Sequence, residues 1–221
     1  MNSGAFDPAE DIVPHARAQG AWVHVDGAFG LWARASSKLA PLAEGFDAAD
    51  SWVADAHKWL NVPYDCGVAI VRDPDALRQA MSISGSYLLL GEQRNAIDVT
   101  PDSSRRARAI EVWAALKSLG RSGLADLIER NCRQAKWLAD KLDKAGAEIL
   151  NEVVLNQIVV SFGDDDNTKR VISTLQKSGT CWCGGTIWRN RQAMRISFSS
   201  WVTSQADLEK TLEAILLARQ S

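Results

Sequence analysis

Asp26 and Lys58 are the residues with the most chemistry to offer. Asp26 closes the run "AWVHVD" (21–26) and is followed at once by the small residues Gly27 and Ala28. Lys58 lies in "DAHKWLNVPYDCG" (55–67), just after a second strand-like run. A lysine amine can condense with an aldehyde to give an imine. A carboxylate can keep a ring nitrogen protonated through its opposite charge. If the two runs are strands of one sheet, both side chains reach the crevice at its carboxyl edge, where open α/β sheets bind ligands. His57 adjoins the lysine, and His24 shares the strand face of Asp26 by the period of two. Plain alternatives stand beside each reading. Asp26 could simply begin a turn, Lys58 could be an ordinary charge reaching water, and either histidine could be a satisfied imidazole.

The elements that must position these residues are legible in outline. The spacing predicts a helix over 9–20, closed by Gly20, and strands at 21–26, 51–56 and 67–72. Helix followed by strand, repeated, predicts an α/β sheet at the front of the chain. A helix is expected at about 103–119, with Ser103 and Ser104 as caps and Ile110, Trp113, Ala114 and Leu116 as its inward face. Gly120 and Gly123 break it, and a second helix runs to Gly146. Beyond that, strands at 147–150, 157–162, 181–188 and 194–198 alternate with helices at 168–178 and 205–219. Ser204 and Asp207 form a capping-box-like start to the last helix. The expected division is 1–122, part of a large α/β domain, and 123–221, a small α+β domain.

Bulk properties narrow the function classes. Hydrophobic residues make up 46% of the 221 and charged residues 24%, enough for a real core. A net charge of −2 argues against nucleic acid or an anionic membrane as the main partner. No apolar run reaches spanning length, no signal pattern opens the chain, and a cytoplasmic location is the expectation. Cys66, Cys132, Cys181 and Cys183 are too scattered for a disulfide framework, and "CWC" (181–183) reads as structural thiols with no metal implied. Trp22, Trp52, Trp113 and Trp137 read as core positions, and Trp59 as packing behind the site.

Pyridoxal 5'-phosphate gives the pair its meaning. That cofactor needs a lysine for its resting Schiff base and an acid partner at its pyridine nitrogen. "HVDGAFG" followed by "DAHKWLNVPYDCG" resembles the group II pyridoxal-phosphate decarboxylases, the family of aromatic-amino-acid, tyrosine, histidine and glutamate decarboxylases. "SRRARAIEVWAALKSLGRSG" and "MRISFSSWVTSQADLEKTLEAI" resemble later segments of the same family. The resemblance implies a type I, aspartate-aminotransferase-like fold, a homodimer and an amino acid substrate. It implies Lys58 as the Schiff-base lysine, Asp26 as the pyridine partner, Ala28 as the small residue against the ring, and His57 as the phosphate-side histidine. His24, Asp55 and Ser3, the last in "NSGAFDP", join the cofactor-binding set. Arg106 is expected to arrange the site and meet the substrate carboxylate.

Two departures from the family qualify these expectations. Family members are roughly twice as long, so the chain reads as the carboxyl half of one. The region 91–104, where the family often carries a catalytic tyrosine, has none; Tyr87 is the nearby candidate. Decarboxylation is the leading expectation, carried by Asp26 and Lys58 in their family context. Transamination on the same fold, and a fragment that only associates with a partner half, stay open beside it.

Overall fold

The computed structural model describes residues 2–82 and 95–220. Tyr87 and residues 91–94 of the catalytic-loop region therefore lie outside the described residues. The front of the chain forms helix α1 (Ala9–Ala18), strands β1 (His24–Asp26), β2 (Ser51–Asp55) and β3 (Gly67–Val71), and the one-turn helix α2 (Ala56–Trp59) directly after β2. Strand order is β1-β2-β3, with β1 parallel to β2 and β2 antiparallel to β3. Three 3-10 segments, Gly30–Ala35, Ala40–Ala43 and Phe46–Ala48, fill the β1–β2 crossover. After α3 (Pro74–Met81), the long helix α4 (Arg108–Lys144) leads into a second sheet of order β4-β5-β7-β6, antiparallel throughout. Its strands are β4 (Glu148–Ile149), β5 (Gln157–Ser161), β6 (Gly184–Trp188) and β7 (Arg191–Ser197), with helices α5 (Asp165–Ser178) and α6 (Gln205–Gln220).

Several boundaries differ from expectation for identifiable reasons. β1 is only three residues long, because Val23 gives its backbone N–H to the Asp50 carboxylate rather than to a neighbouring strand. The helix expected from 103 begins at Arg108, and neither Ser103 nor Ser104 caps it. Gly120, at φ 62° and ψ −176°, interrupts α4, a conformation that costs glycine least. The segment before that break packs inward with Val112, Ala115 and Leu119, whereas Ile110, Trp113 and Leu116 are exposed. That reverses the expected inward face. Trp22 is likewise exposed, not core. The box at the head of α6 is present: the Ser204 N–H and hydroxyl both donate to the Asp207 carboxylate, at 2.9 and 2.7 Å.

Among the described residues three apolar clusters form, and α4 serves two of them. Its Leu124, Leu127, Ile128 and Cys132 pack with Trp59, Leu60 and Val62 behind α2. Its Leu138 and Leu142 pack with Ile158, Met194, Leu175 and Ile215 around the second sheet. Trp59 is fully buried, as expected for packing behind the site.

A polar tie fixes the crossover to α4. The buried Ser36 donates its hydroxyl to Glu129 at 2.7 Å, and Lys38 pairs with the other carboxylate oxygen at 2.7 Å. The Lys38 ammonium and the Ser36 hydroxyl hold the Glu129 carboxyl below its ordinary 4.5. A depressed folded value means the contribution is present above pH 4.5 and lost as pH falls through the lower folded value. Glu129→Gln should therefore be less stable than the parent at neutral pH, with the gap closing in acid. Urea midpoints across that range check it. A gap that widens in acid would contradict the tie.

Candidate active site

The site is built where β1 and β2 end. Register pairs Asp26 with Val53, so the strands finish side by side and α2 lifts Lys58 just past the end of β2. Gly27 must be glycine here: a Cβ would lie 2.6 Å from Leu31 Cβ and 2.9 Å from the Val53 carbonyl oxygen. The tight turn this permits leaves the Asp26 carboxylate exposed at the sheet edge, accepting a 3.2 Å hydrogen bond from the Ala28 N–H.

Lys58 and Asp55 form a 2.6 Å ion pair, one helical turn apart, with 29% and 26% of their side chains exposed. His57 Nε2 is 3.9 Å from the same Asp55 oxygen. The other ring nitrogen, Nδ1, is 2.7 Å from the Cys66 carbonyl oxygen and 3.2 Å from the Cys66 backbone nitrogen, so the Cys66 peptide holds the ring in either tautomer. The ring also leans on Tyr64 with centroids 4.3 Å apart.

Asp26 and Ala28 line a cleft of about 270 Å³ with Phe6, Phe29, Leu155 and Gln157. Phe29 is the wall common to both halves of the site: it lines this cleft, and Lys58 Nζ stands 5.0 Å from its ring centroid. The same ring meets Trp59 edge-on at 5.5 Å. Trp59 in turn donates its indole N–H to Asn131 at 2.8 Å, and Asn61 donates to the carbonyls of Trp59 and Ser199 at 2.7 and 2.9 Å. The turn carrying Lys58 is thus bolted to the long helix and to the 199–203 loop.

The remaining expected residues fall at varying distances from this centre. His24 Nδ1 lies 2.8 Å from the Ser51 hydroxyl, its partner across the β1–β2 register. Ser3 precedes Gly4, which lines the cleft; the Ser3 hydroxyl accepts from the Ala5 N–H at 3.3 Å. Arg106 is exposed and committed elsewhere, with Glu111 at 3.2 Å and the Pro63 carbonyl oxygen at 3.5 Å. Asp55 to Lys58 was readable as an i,i+3 pair had a helix been expected at 56–59. The partnership of Trp59 with Asn131, 72 positions away, left no sequence signal.

The donor set suits pyridoxal phosphate. A solvent-facing carboxylate and a small side chain line the cleft, and an amine with an adjacent acceptor for its proton stands against Phe29, a wall of that cleft.

Comparison with known proteins agrees. The model of the pyridoxal-dependent decarboxylase conserved domain matches residues 1–162. Acidic amino acid decarboxylase GADL1 of Mus musculus is 34% identical over 158 residues, 67% of this chain and 28% of that protein. Aromatic-L-amino-acid decarboxylase of Drosophila lebanonensis is 26% identical over 222 residues, 98% of this chain and 55% of that protein. The chain therefore spans about half the length, or less, of these relatives. A crystal structure of Oryza sativa TDC with PLP and tryptamine superimposes with a TM-score of 0.92 at 22% identity, covering 99% of this chain and 48% of that one. That likeness gives the fold: mixed α/β, of the type I pyridoxal-phosphate-enzyme kind, represented in part. The chain belongs to the pyridoxal-dependent decarboxylase family, whose cofactor is pyridoxal phosphate.

Proposed function

We propose that the chain is a pyridoxal-phosphate-dependent carboxy-lyase acting on an amino acid, with Lys58 as the covalent anchor for the cofactor aldehyde and Asp26 as the partner of its ring nitrogen. The observation that carries the reading is the arrival of Lys58 and Asp26 at the ends of adjacent parallel strands, in a chain of this family. When bound, the cofactor supplies a protonated ring that takes up the electron pair left at the substrate α-carbon as carbon dioxide departs.

The chain's own residues do the rest. Asp26, exposed at the cleft, holds the proton on the ring nitrogen by its charge. Asp55 keeps the Lys58 ammonium in place and is the nearest acceptor for the proton that must leave before the amine can attack an aldehyde. Ala28 leaves room for a flat ring. His57, fixed through Nδ1, offers Nε2 to the phosphate side. Ser3 adds a hydroxyl beside the cleft, and His24 braces β1 against β2. Arg106 arranges the 63–65 loop; meeting the substrate carboxylate would require it to leave Glu111.

A homodimer belongs to this proposal, supported by the exposed Ile110, Trp113 and Leu116 on one stretch of α4. The division at 122/123 is proposed with it. A cytosolic setting suits the free cysteines. An aminotransferase is the second reading, favoured by the absence of tyrosine from 91–104.

The test incubates the purified chain and pyridoxal phosphate with single L-amino acids. Carbon dioxide and an amine in equal amounts are expected. Keto acid without carbon dioxide would replace the carboxy-lyase by the aminotransferase. Neither product, with Lys58 labelled by the cofactor, would overturn both for this chain.

A further inference from the structure

The "CWC" motif takes no part in the site above. Its two thiols lie in the lead-in to β6, which begins at Gly184. They are unequal. Cys183 is 3% exposed, inside the cluster with Met194 and Ile196, and its carbonyl accepts from the Gln176 amide at 2.8 Å. Cys181 is half-buried. Both line a cleft of about 280 Å³ that also takes in Ser199, Asp207, Lys210 and Thr211. Two positions apart and lining one cleft, each thiol bears on the other's proton: Cys183 draws Cys181 down to about 7, with burial opposing and Thr211 adding, while Cys181 and burial push Cys183 up.

We propose that Cys181 and Cys183 form a dithiol oxidised by hydroperoxides to an intramolecular disulfide, with Cys181 as the attacking thiol and Cys183 as the resolving one. The Cys181 thiolate attacks one peroxide oxygen: the S–O bond forms, the O–O bond breaks, and the other oxygen leaves and takes up a proton as alcohol or water. The Cys183 sulfur then attacks the Cys181 sulfur. The S–S bond forms, the S–O bond breaks, and hydroxide leaves with the Cys183 proton as water. Two thiols are oxidised and one peroxide is reduced. Accessible, low-pKa thiols beside a second cysteine are the ones that follow this course. Cys132 is 5% exposed in the cluster behind α2 and does not line this cleft, so it should stay unreacted as an internal control.

The experiment treats the full chain with hydrogen peroxide at near-stoichiometric amounts, blocks the remaining thiols and maps the tryptic peptide 178–189. That peptide should come out two hydrogens lighter, with both thiols lost together and restored by dithiothreitol. Cys183→Ser should leave Cys181 as a sulfenic acid trapped by dimedone, and Cys181→Ser should abolish the reaction. Cys181 running on to sulfinic acid in the wild type while Cys183 keeps its proton would overturn the proposal. So would inertness of both at peroxide levels that oxidise glutathione.

Discussion

Lys58→Ala should leave the chain folded and abolish covalent capture of pyridoxal phosphate. Turnover in whatever assembly is active should fall by roughly 10³-fold or more, as when a covalent residue is removed elsewhere. Stability should barely move. The Lys58–Asp55 pair is about a quarter exposed at each partner, and such pairs contribute about 0–1 kcal/mol. Denaturation midpoint and turnover measured on the same preparation separate chemistry from folding. Lys58→Arg is the companion variant: it keeps a cation for Asp55 but cannot act as the amine. Retained turnover in either variant, at unchanged stability, would remove Lys58 from its assigned place.

Trp59→Ala should have the largest effect on stability. Trp59 is fully buried against Leu127 and Ile128, and truncating such a side chain costs about 3–5 kcal/mol. The Asn131 oxygen that accepts its indole N–H would lose that partner in a dry place, at a further cost of about 1–3 kcal/mol. Against a typical total of about 5–15 kcal/mol, that is a large share. Trp59→Phe should cost less, because it keeps one aromatic ring and loses only the N–H and the rest of the indole. Urea unfolding of the three proteins gives the comparison. Because the same ring backs Phe29, cofactor affinity should fall in the Phe variant even where the chain is largely folded. A cost below about 1 kcal/mol for the Ala variant would mean that the cluster behind α2 is not a packed core.

Local pattern made the placement of side chains readable where the chain runs straight. Asp26 and Lys58 could be placed because each follows a β-rich run, and strand ends determine what reaches a sheet edge. The second sheet and its helices were readable for the same reason, in the alternation of "QIVVSF" and "MRISF" with helical stretches. Pattern failed where a segment is apolar on several sides. Ile110, Val112, Trp113, Ala115, Leu116 and Leu119 offer more than one inward face, and the cluster behind α2 selects Val112, Ala115 and Leu119. His24 was tied to its own strand neighbour Asp26 by periodicity, but the register brings Ser51 opposite, and no single strand encodes register. Asn131 and Asn61 look like ordinary polar residues in sequence. Their task of fixing the Lys58 turn exists only once α4 and the 199–203 loop come together.

Covalent labelling tests the central claim most directly. The chain, mixed with pyridoxal phosphate, should develop the visible absorption of a lysine-bound cofactor. Borohydride reduction and peptide mapping should then find the pyridoxyl group on Lys58 in preference to the other lysines. Asp26→Asn should keep the label on Lys58 but weaken retention of the cofactor. Labelling spread evenly over surface lysines, or absent, would contradict the account of β1, β2 and α2 as the part of this chain that holds the cofactor.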